Sequence, residues 1–131
     1  MAARPQFDRT AAVLVVDDHR TMQAIICSHL RRIGFAVVDA AGDAVTALTM
    51  LRQRRYGLVL SDWNMEPMDG IALLRSLRVD PVYARVPFIL VTAESRPDQV
   101  LAAQRHGVDG YLVKPFDRAG LQRRIDALAQ P

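Results

Sequence analysis

Five polar residues stand where apolar runs end. Asp17 and Asp18 follow Ala11 to Val16, Asp62 comes just after Leu58 to Leu60, Thr92 follows Val86 to Val91, and Lys114 follows Gly110 to Val113 with Pro115 next. If one fold edge gathers them, three carboxylates share a site with a hydroxyl and an ammonium. Carboxylates about 5 Å apart at an effective dielectric near 20 repel by roughly 3 kcal/mol per pair. A single lysine does not offset that, so either one acid is protonated or a cation binds. Hard oxygen donors favour Mg²⁺ over zinc, with waters completing an octahedron. His19 follows Asp18 directly. It is read as a surface or helix-entry residue pointing elsewhere on the loop. The lysine is informative through its rarity: of the 17 basic residues every one but Lys114 is arginine. Lysine is a compact point charge that meets a phosphate oxygen in a tight site, whereas arginine is a planar fork.

The elements that must position these residues read as a strict alternation. Ala11 to Val16 is apolar and rich in β-branched residues, as a strand covered on both faces requires. Met22, Ile25, Ile26, Leu30 and Ile33 then fall at helical spacing, and Gly34 sits where a helix stops. Phe35 to Ala40 is predicted as the second strand, followed by a helix entered through Gly42-Asp43 and carrying Val45, Leu48 and Leu51. Leu58 to Leu60 is a short third strand; Asp69-Gly70 turns into a helix with Ile71, Leu74 and Leu77. Val86 to Val91 is the fourth strand. Ser95 to Asp98, with Pro97 in the first turn, opens a helix ending near His106. Gly110 to Val113 is the fifth strand, and Asp117 caps a last helix with Leu121, Ile125 and Leu128. Five strands joined by crossover helices make an α/β, doubly wound, five-stranded parallel sheet with five helices. Its ligand site lies outside the carboxyl ends of the strands, where the five polar residues stand.

Composition narrows the classes. A chain of 131 residues, 50% hydrophobic and 24% charged, holds one core without staples, and disordered or collagen-like classes are excluded. No apolar run is long enough to span a membrane. Met1 to Thr10 lacks an apolar signal core, which points to a cytoplasmic protein. The net charge of +3 comes from scattered arginines with no aromatic interleaving, so nucleic acid is not expected as a partner. The single cysteine, Cys27, lies in a helical apolar stripe and reads as packing. His29 and His106 have no acidic or cysteine neighbour at ligand spacing, and Trp63 reads as a half-exposed loop aromatic.

Four segments, VVDD (15–18), SDWNMEPMDG (61–70), VTAE (91–94) and YLVKPF (111–116), resemble in order and spacing the receiver domain of bacterial two-component response regulators, most closely the stand-alone CheY-like type. The resemblance spans roughly residues 10 to 130, and implies a flavodoxin-like fold with residues 1–9 as an N-terminal extension and 10–131 as the receiver. It implies that Asp62 accepts a phosphoryl group from a histidine kinase or phosphotransfer protein. Asp17 and Asp18 would hold Mg²⁺ together with Asp62 and the backbone carbonyl of Asn64. Thr92 and Lys114 would contact phosphoryl oxygens, and Thr92 and Tyr111 would form the switch. The Lys114-Pro115 peptide is expected to be cis. Asn64 and Glu94 flank the reacting centre and would set the phosphate lifetime. Such a protein is not an enzyme in the ordinary sense. It is expected to be a monomer that signals to a protein target through its fourth helix, fifth strand and fifth helix, with chemotaxis or motility control as one setting. In one departure, Glu66 stands where the chemotaxis archetype has proline, and Pro67 follows. Two other classes compete. Arg118, Arg123 and Arg124 could hold a phosphorylated small molecule such as a cyclic dinucleotide. An aspartate-nucleophile phosphatase would want a second aspartate where Asn64 stands.

Overall fold

A computed structural model describes residues 7–93 and 96–129. The chain runs β1 (Val13–Val16), α1 (Arg20–Ile33), β2 (Val38–Ala41), α2 (Ala44–Gln53), β3 (Leu58–Asp62), α3 (Gly70–Arg78), β4 (Phe88–Thr92), α4 (Pro97–Arg105), β5 (Gly110–Val113) and α5 (Arg118–Ala127). The strands form one parallel sheet in the order β2-β1-β3-β4-β5. This is the predicted doubly wound architecture. The chain order reverses at β1, so the crevice of such a fold opens beside its carboxyl end.

Each face of the sheet has its own core, because successive strand side chains point to opposite sides. Leu14, Val16, Val59, Phe88 and Leu90 pack against the apolar faces of α2 and α3 and Ala103 of α4. Val13, Val15, Leu58, Leu60, Ile89 and Val91 pack against Ile26, Cys27 and Leu30 of α1 and Leu121 and Ile125 of α5. Cys27 is buried, as expected of a packing residue, and burial raises its thiol pKa. The continuous apolar strand segments in the sequence are the consequence of this double covering.

Several boundaries differ from expectation, each for a local reason. Gly34, at φ +126°, ends α1 as predicted, and its N–H and that of Phe35 close back on the carbonyl of Leu30. Phe35 is therefore held in the core as part of the turn, and β2 begins only at Val38. Pro87 has no N–H to give a ladder, so β4 starts at Phe88, although the Pro87 carbonyl still accepts from Val59 N–H at 3.0 Å. β3 extends to include Asp62. Asp43, Asp69 and Asp117 cap α2, α3 and α5, accepting from Thr46, Ala72 and Gly120 N–H at 2.7, 2.8 and 2.7 Å. The residue capping α4 is Arg96, with Pro97 in the first turn as expected; Ser95 lies outside the described residues. Phe7 and Arg9 pack on the body of the domain. Arg9 pairs with Asp126 at 3.2 Å and donates to the Ile33 carbonyl at 3.0 Å, while Phe7 lies 6.2 Å from Phe35. Among the described residues no helix is long and apolar enough to cross a membrane.

Candidate functional site

The register of the sheet brings the strand ends level. Val16 sits opposite Ser61, Asp62 opposite Val91, and Thr92 opposite Val113. Asp17, Asp62, Thr92 and Lys114, each at or one past a strand end, therefore meet on one edge.

Asp17 is fully buried. One carboxylate oxygen, Oδ1, accepts the backbone N–H of His19 at 2.9 Å, while Oδ2 is buried with no hydrogen-bond partner. The nearest cation to Oδ2 is Lys114 Nζ at 3.8 Å. Gln23, a residue the motif reading passed over, holds this loop in place. Its amide donates to the carbonyls of Asp17 at 2.7 Å and Ala41 at 3.1 Å, tying the end of β1 to that of β2. Nothing in the sequence singles it out, because α1 is amphipathic and carries several other polar side chains.

Asp62 is 5% exposed. Its Oδ1 accepts from Trp63 N–H at 3.0 Å and from Lys114 Nζ at 3.2 Å. Burial raises its pKa above the ordinary carboxylate range. Lys114 pulls the other way, but the neighbouring Asp17 charge adds to the rise. A raised carboxyl favours the folded state while protonated, and that contribution is lost as pH rises through its shifted value. Asp62→Asn, which cannot ionise, should therefore melt higher than wild type at neutral pH in chelator. The gap should close as the solution is acidified. Thermal melts across that range check this, and a lower melting temperature for the variant at pH 7 would contradict it.

Thr92 is buried at the end of β4, and its carbonyl accepts Lys114 N–H at 2.7 Å, which anchors the lysine's backbone. The Lys114-Pro115 peptide is cis as expected, and so is Glu66-Pro67, which was not anticipated. Tyr111 is half-buried and packs edge-on against Trp63, with ring centroids 6.2 Å apart. Asn64 and Glu66 are exposed at the rim, while Glu94 lies outside the described residues.

His19 is exposed at the entry to α1, as expected, but its ring does not point elsewhere on the loop. Its Nδ1 lies 2.9 Å from Asp18 Oδ1 and 3.4 Å from Asp17 Oδ1. The Asp17 backbone contact turns the loop so that the ring folds over the acids instead of away from them. Asp17, Asp18, His19 and Asp62 each offer one ligand atom within 4.8 Å of the others. Opposite ligands of an octahedral ion with bonds near 2.1 Å are about 4.2 Å apart, so the donors are spaced to hold one cation. The unpartnered buried oxygen of Asp17 is the atom such an ion would satisfy.

A hollow beside α5, lined by Pro115, Phe116, Asp117, Gly120 and Arg123, takes Arg123 alone of that helix's three arginines and sets a carboxylate beside it. Arg118, Arg123 and Arg124 are all exposed.

The chain matches the response regulator receiver domain over residues 13–126. It is 39% identical over 121 residues to chemotaxis protein CheY-3 of Vibrio cholerae, covering 92% of this chain and 93% of that one. Chemotaxis protein CheY of Pseudomonas aeruginosa is 42% identical over 116 residues, 88% of this chain and 94% of the relative. Among solved structures, Vibrio cholerae CheY4 superposes with a TM-score of 0.86 at 28% identity, over 91% of this chain and 98% of that one. The receiver domain of the sensor histidine kinase PA1611 of Pseudomonas aeruginosa, solved with a magnesium ion coordinated in its active-site cleft, superposes at 0.81 with 30% identity, over 91% and 97%. Sheet order, the acids at the strand ends and a match over nearly the whole domain agree: the chain belongs to the response regulator receiver domain family.

Proposed function

We propose that this protein is a phosphorylation-dependent signalling switch whose phosphoryl acceptor is Asp62. The observation that carries the reading is the setting of that carboxylate: nearly buried at the end of the central strand, 3.2 Å from the lone lysine and beside a second buried acid. In the transfer, a carboxylate oxygen of Asp62 attacks the phosphorus of a phosphohistidine on a kinase or phosphotransfer protein. A P–O bond forms, the P–N bond breaks, and its electron pair returns to the donor imidazole, leaving an acyl phosphate on Asp62. Lys114 pairs with one phosphoryl oxygen and the Thr92 hydroxyl donates to another. Asp17, Asp18, Asp62 and the Asn64 carbonyl would hold a divalent cation, and Mg²⁺ there would supply positive charge to the remaining oxygens.

Burial works against the ionised form that the reaction needs, so the nearby cations keep Asp62 a nucleophile. The new charge, about −2, then draws Thr92 inward. Tyr111, packed on Trp63 beside Asp62, follows, and the surface of α4, β5 and α5 reads the change out to a target protein. Asn64 and Glu94, two residues past Asp62 and Thr92, set how readily water reaches the phosphorus. The protein promotes only its own phosphorylation and dephosphorylation. The names of its CheY relatives make chemotaxis the first pathway to test, in the cytoplasm, with residues 10–131 as the working unit.

The test is incubation with acetyl phosphate and Mg²⁺, followed by intact mass and peptide mapping. Wild type should gain one phosphoryl group on the peptide carrying Asp62, and Asp62→Ala should gain none. Modification of Asp62→Ala at a comparable yield would overturn the assignment.

A further inference from the structure

The acidic site contains one group that its oxygen chemistry does not call for. His19 is the residue before the first turn of α1, yet its side chain makes no capping hydrogen bond. Its backbone N–H is held by Asp17 Oδ1 at 2.9 Å, and its ring lies across the two adjacent acids, Nδ1 being 2.9 Å from Asp18 and 3.4 Å from Asp17. The ring is 72% exposed, so it sits at the mouth of the site and not in its floor. The floor holds the second observation. Asp17 Oδ2 is buried without a hydrogen-bond partner, and it points at Lys114, which in turn contacts Asp62. Set against that single ammonium, the three carboxylates leave two negative charges, the charge of one divalent ion.

We propose that His19 is a nitrogen ligand of this site, so that the protein binds first-row transition ions such as Mn²⁺, Ni²⁺ and Zn²⁺ through a mixed oxygen and imidazole donor set. The proposal rests on the cation site described above and adds to it a donor of a different chemical class. Mg²⁺ is hard, prefers oxygen and keeps its waters, so an imidazole contributes little to its binding. Borderline ions are suited by imidazole, and their affinities rise along the series from Mn²⁺ towards Ni²⁺ and Cu²⁺. Oxygen ligands alone already follow that order, so a preference for Ni²⁺ over Mg²⁺ is not by itself diagnostic. The diagnostic quantity is how much of the preference disappears with the imidazole. His19 Nδ1 need only rotate from Asp18 to the shared ion, because the four donor atoms already lie within 4.8 Å of one another. A transition ion held in this way would compete with Mg²⁺ for the carboxylates around Asp62, linking phosphorylation to metal supply.

The test uses untagged full-length protein and three ions alone, Mg²⁺, Mn²⁺ and Ni²⁺, titrated calorimetrically at near-neutral pH into wild type and His19→Asn. Asparagine is a good residue at a helix start, so the variant keeps α1. The expected result is a loss of Ni²⁺ affinity of about tenfold or more in His19→Asn, with Mg²⁺ affinity changed less than about twofold and Mn²⁺ between them. In wild type, Co²⁺ should also shift the ring-proton resonances of His19 and leave those of His29 and His106 in place. Ni²⁺ affinity that is unchanged in His19→Asn, or that falls no more than Mg²⁺ affinity does, overturns the proposal. Unchanged affinity would mean that the carboxylates hold the ion without the imidazole, or that it is an adventitious ion only, on another histidine. The underlying site fails separately: if Mg²⁺ gives no heat and Asp62→Ala leaves Ni²⁺ binding intact, the carboxylates hold no cation at all.

Discussion

Gly70→Ala should destabilise the protein by about 3 kcal/mol and slow phosphorylation of Asp62 at the same time. Gly70 opens α3 immediately beneath the end of β3, and its N–H donates to the Trp63 carbonyl at 2.9 Å. A Cβ at this position would lie 2.3 Å from the carbonyl oxygen of Asp62, 2.8 Å from Leu90 Cδ2 and 3.1 Å from Trp63 Cα. Two of those neighbours are backbone and cannot step aside by a rotamer change. Either α3 backs away, opening its contacts through Leu73, Leu74 and Leu77, or the end of β3 moves and carries the carboxylate with it. Both routes cost packing, and the second also spoils the 3.2 Å contact with Lys114. For a domain of this size the loss corresponds to a fall in melting temperature of roughly 10 °C. Gly42→Ala is the control, because the nearest atom to a Cβ there is Gln23 Nε2 at 3.9 Å, an ordinary contact. A Gly70→Ala variant that melts alongside Gly42→Ala would show that the close approach carries no strain.

Lys114→Met should be costly in chelator and largely rescued by a divalent ion. Lys114 is the cation in contact with Asp62 and the nearest to the buried oxygen of Asp17. Removing one partner of a buried pair leaves the other charge uncompensated, which costs about 3 kcal/mol or more. Methionine keeps most of the stem's volume, so the loss is electrostatic and not a cavity. Two treatments should then restore stability. Acidification protonates Asp62, whose pKa is already raised by burial and by Asp17 and would rise further without the lysine. Millimolar Mg²⁺ binds the folded state and stabilises it by mass action. The variant should therefore gain more from Mg²⁺ than wild type does. Thermal melts of both proteins, in chelator and in Mg²⁺, decide the matter. Equal gains would mean that the lysine does not shield the carboxylates that the ion engages.

The contrast between these two residues shows what was legible in the sequence. Lys114 announced itself, as a lone lysine at the end of a short apolar run, before a proline. Asp17, Asp18, Asp62 and Thr92 did so for the same reason, because in a parallel sheet the residue after each apolar run must lie on one edge. Gly70 showed only as half of an Asp-Gly turn. Its necessity comes from the approach of α3 to β3, which joins residues whose separation in the chain carries no periodic signal. Phe35 likewise read as strand by composition, while the positive φ of Gly34 made it part of a turn.

The alternation of elements, the double covering of the sheet and the strand-end places of Asp17, Asp18, Asp62, Thr92 and Lys114 were legible in residue order alone. Apolar period and strand-end position are local properties, and they survive folding unchanged. Tertiary structure alone decided how the members face one another. The register of β1 against β3 set Asp17 beside Asp62 and left one of its oxygens buried without a partner. Gln23 tied the loop after β1 to the end of β2, and the backbone contact between His19 and Asp17 turned the imidazole onto the acids. Loop side chains have no period to read. Their directions follow from which backbone groups the fold leaves in need of a partner, and that is known only once the strands are side by side.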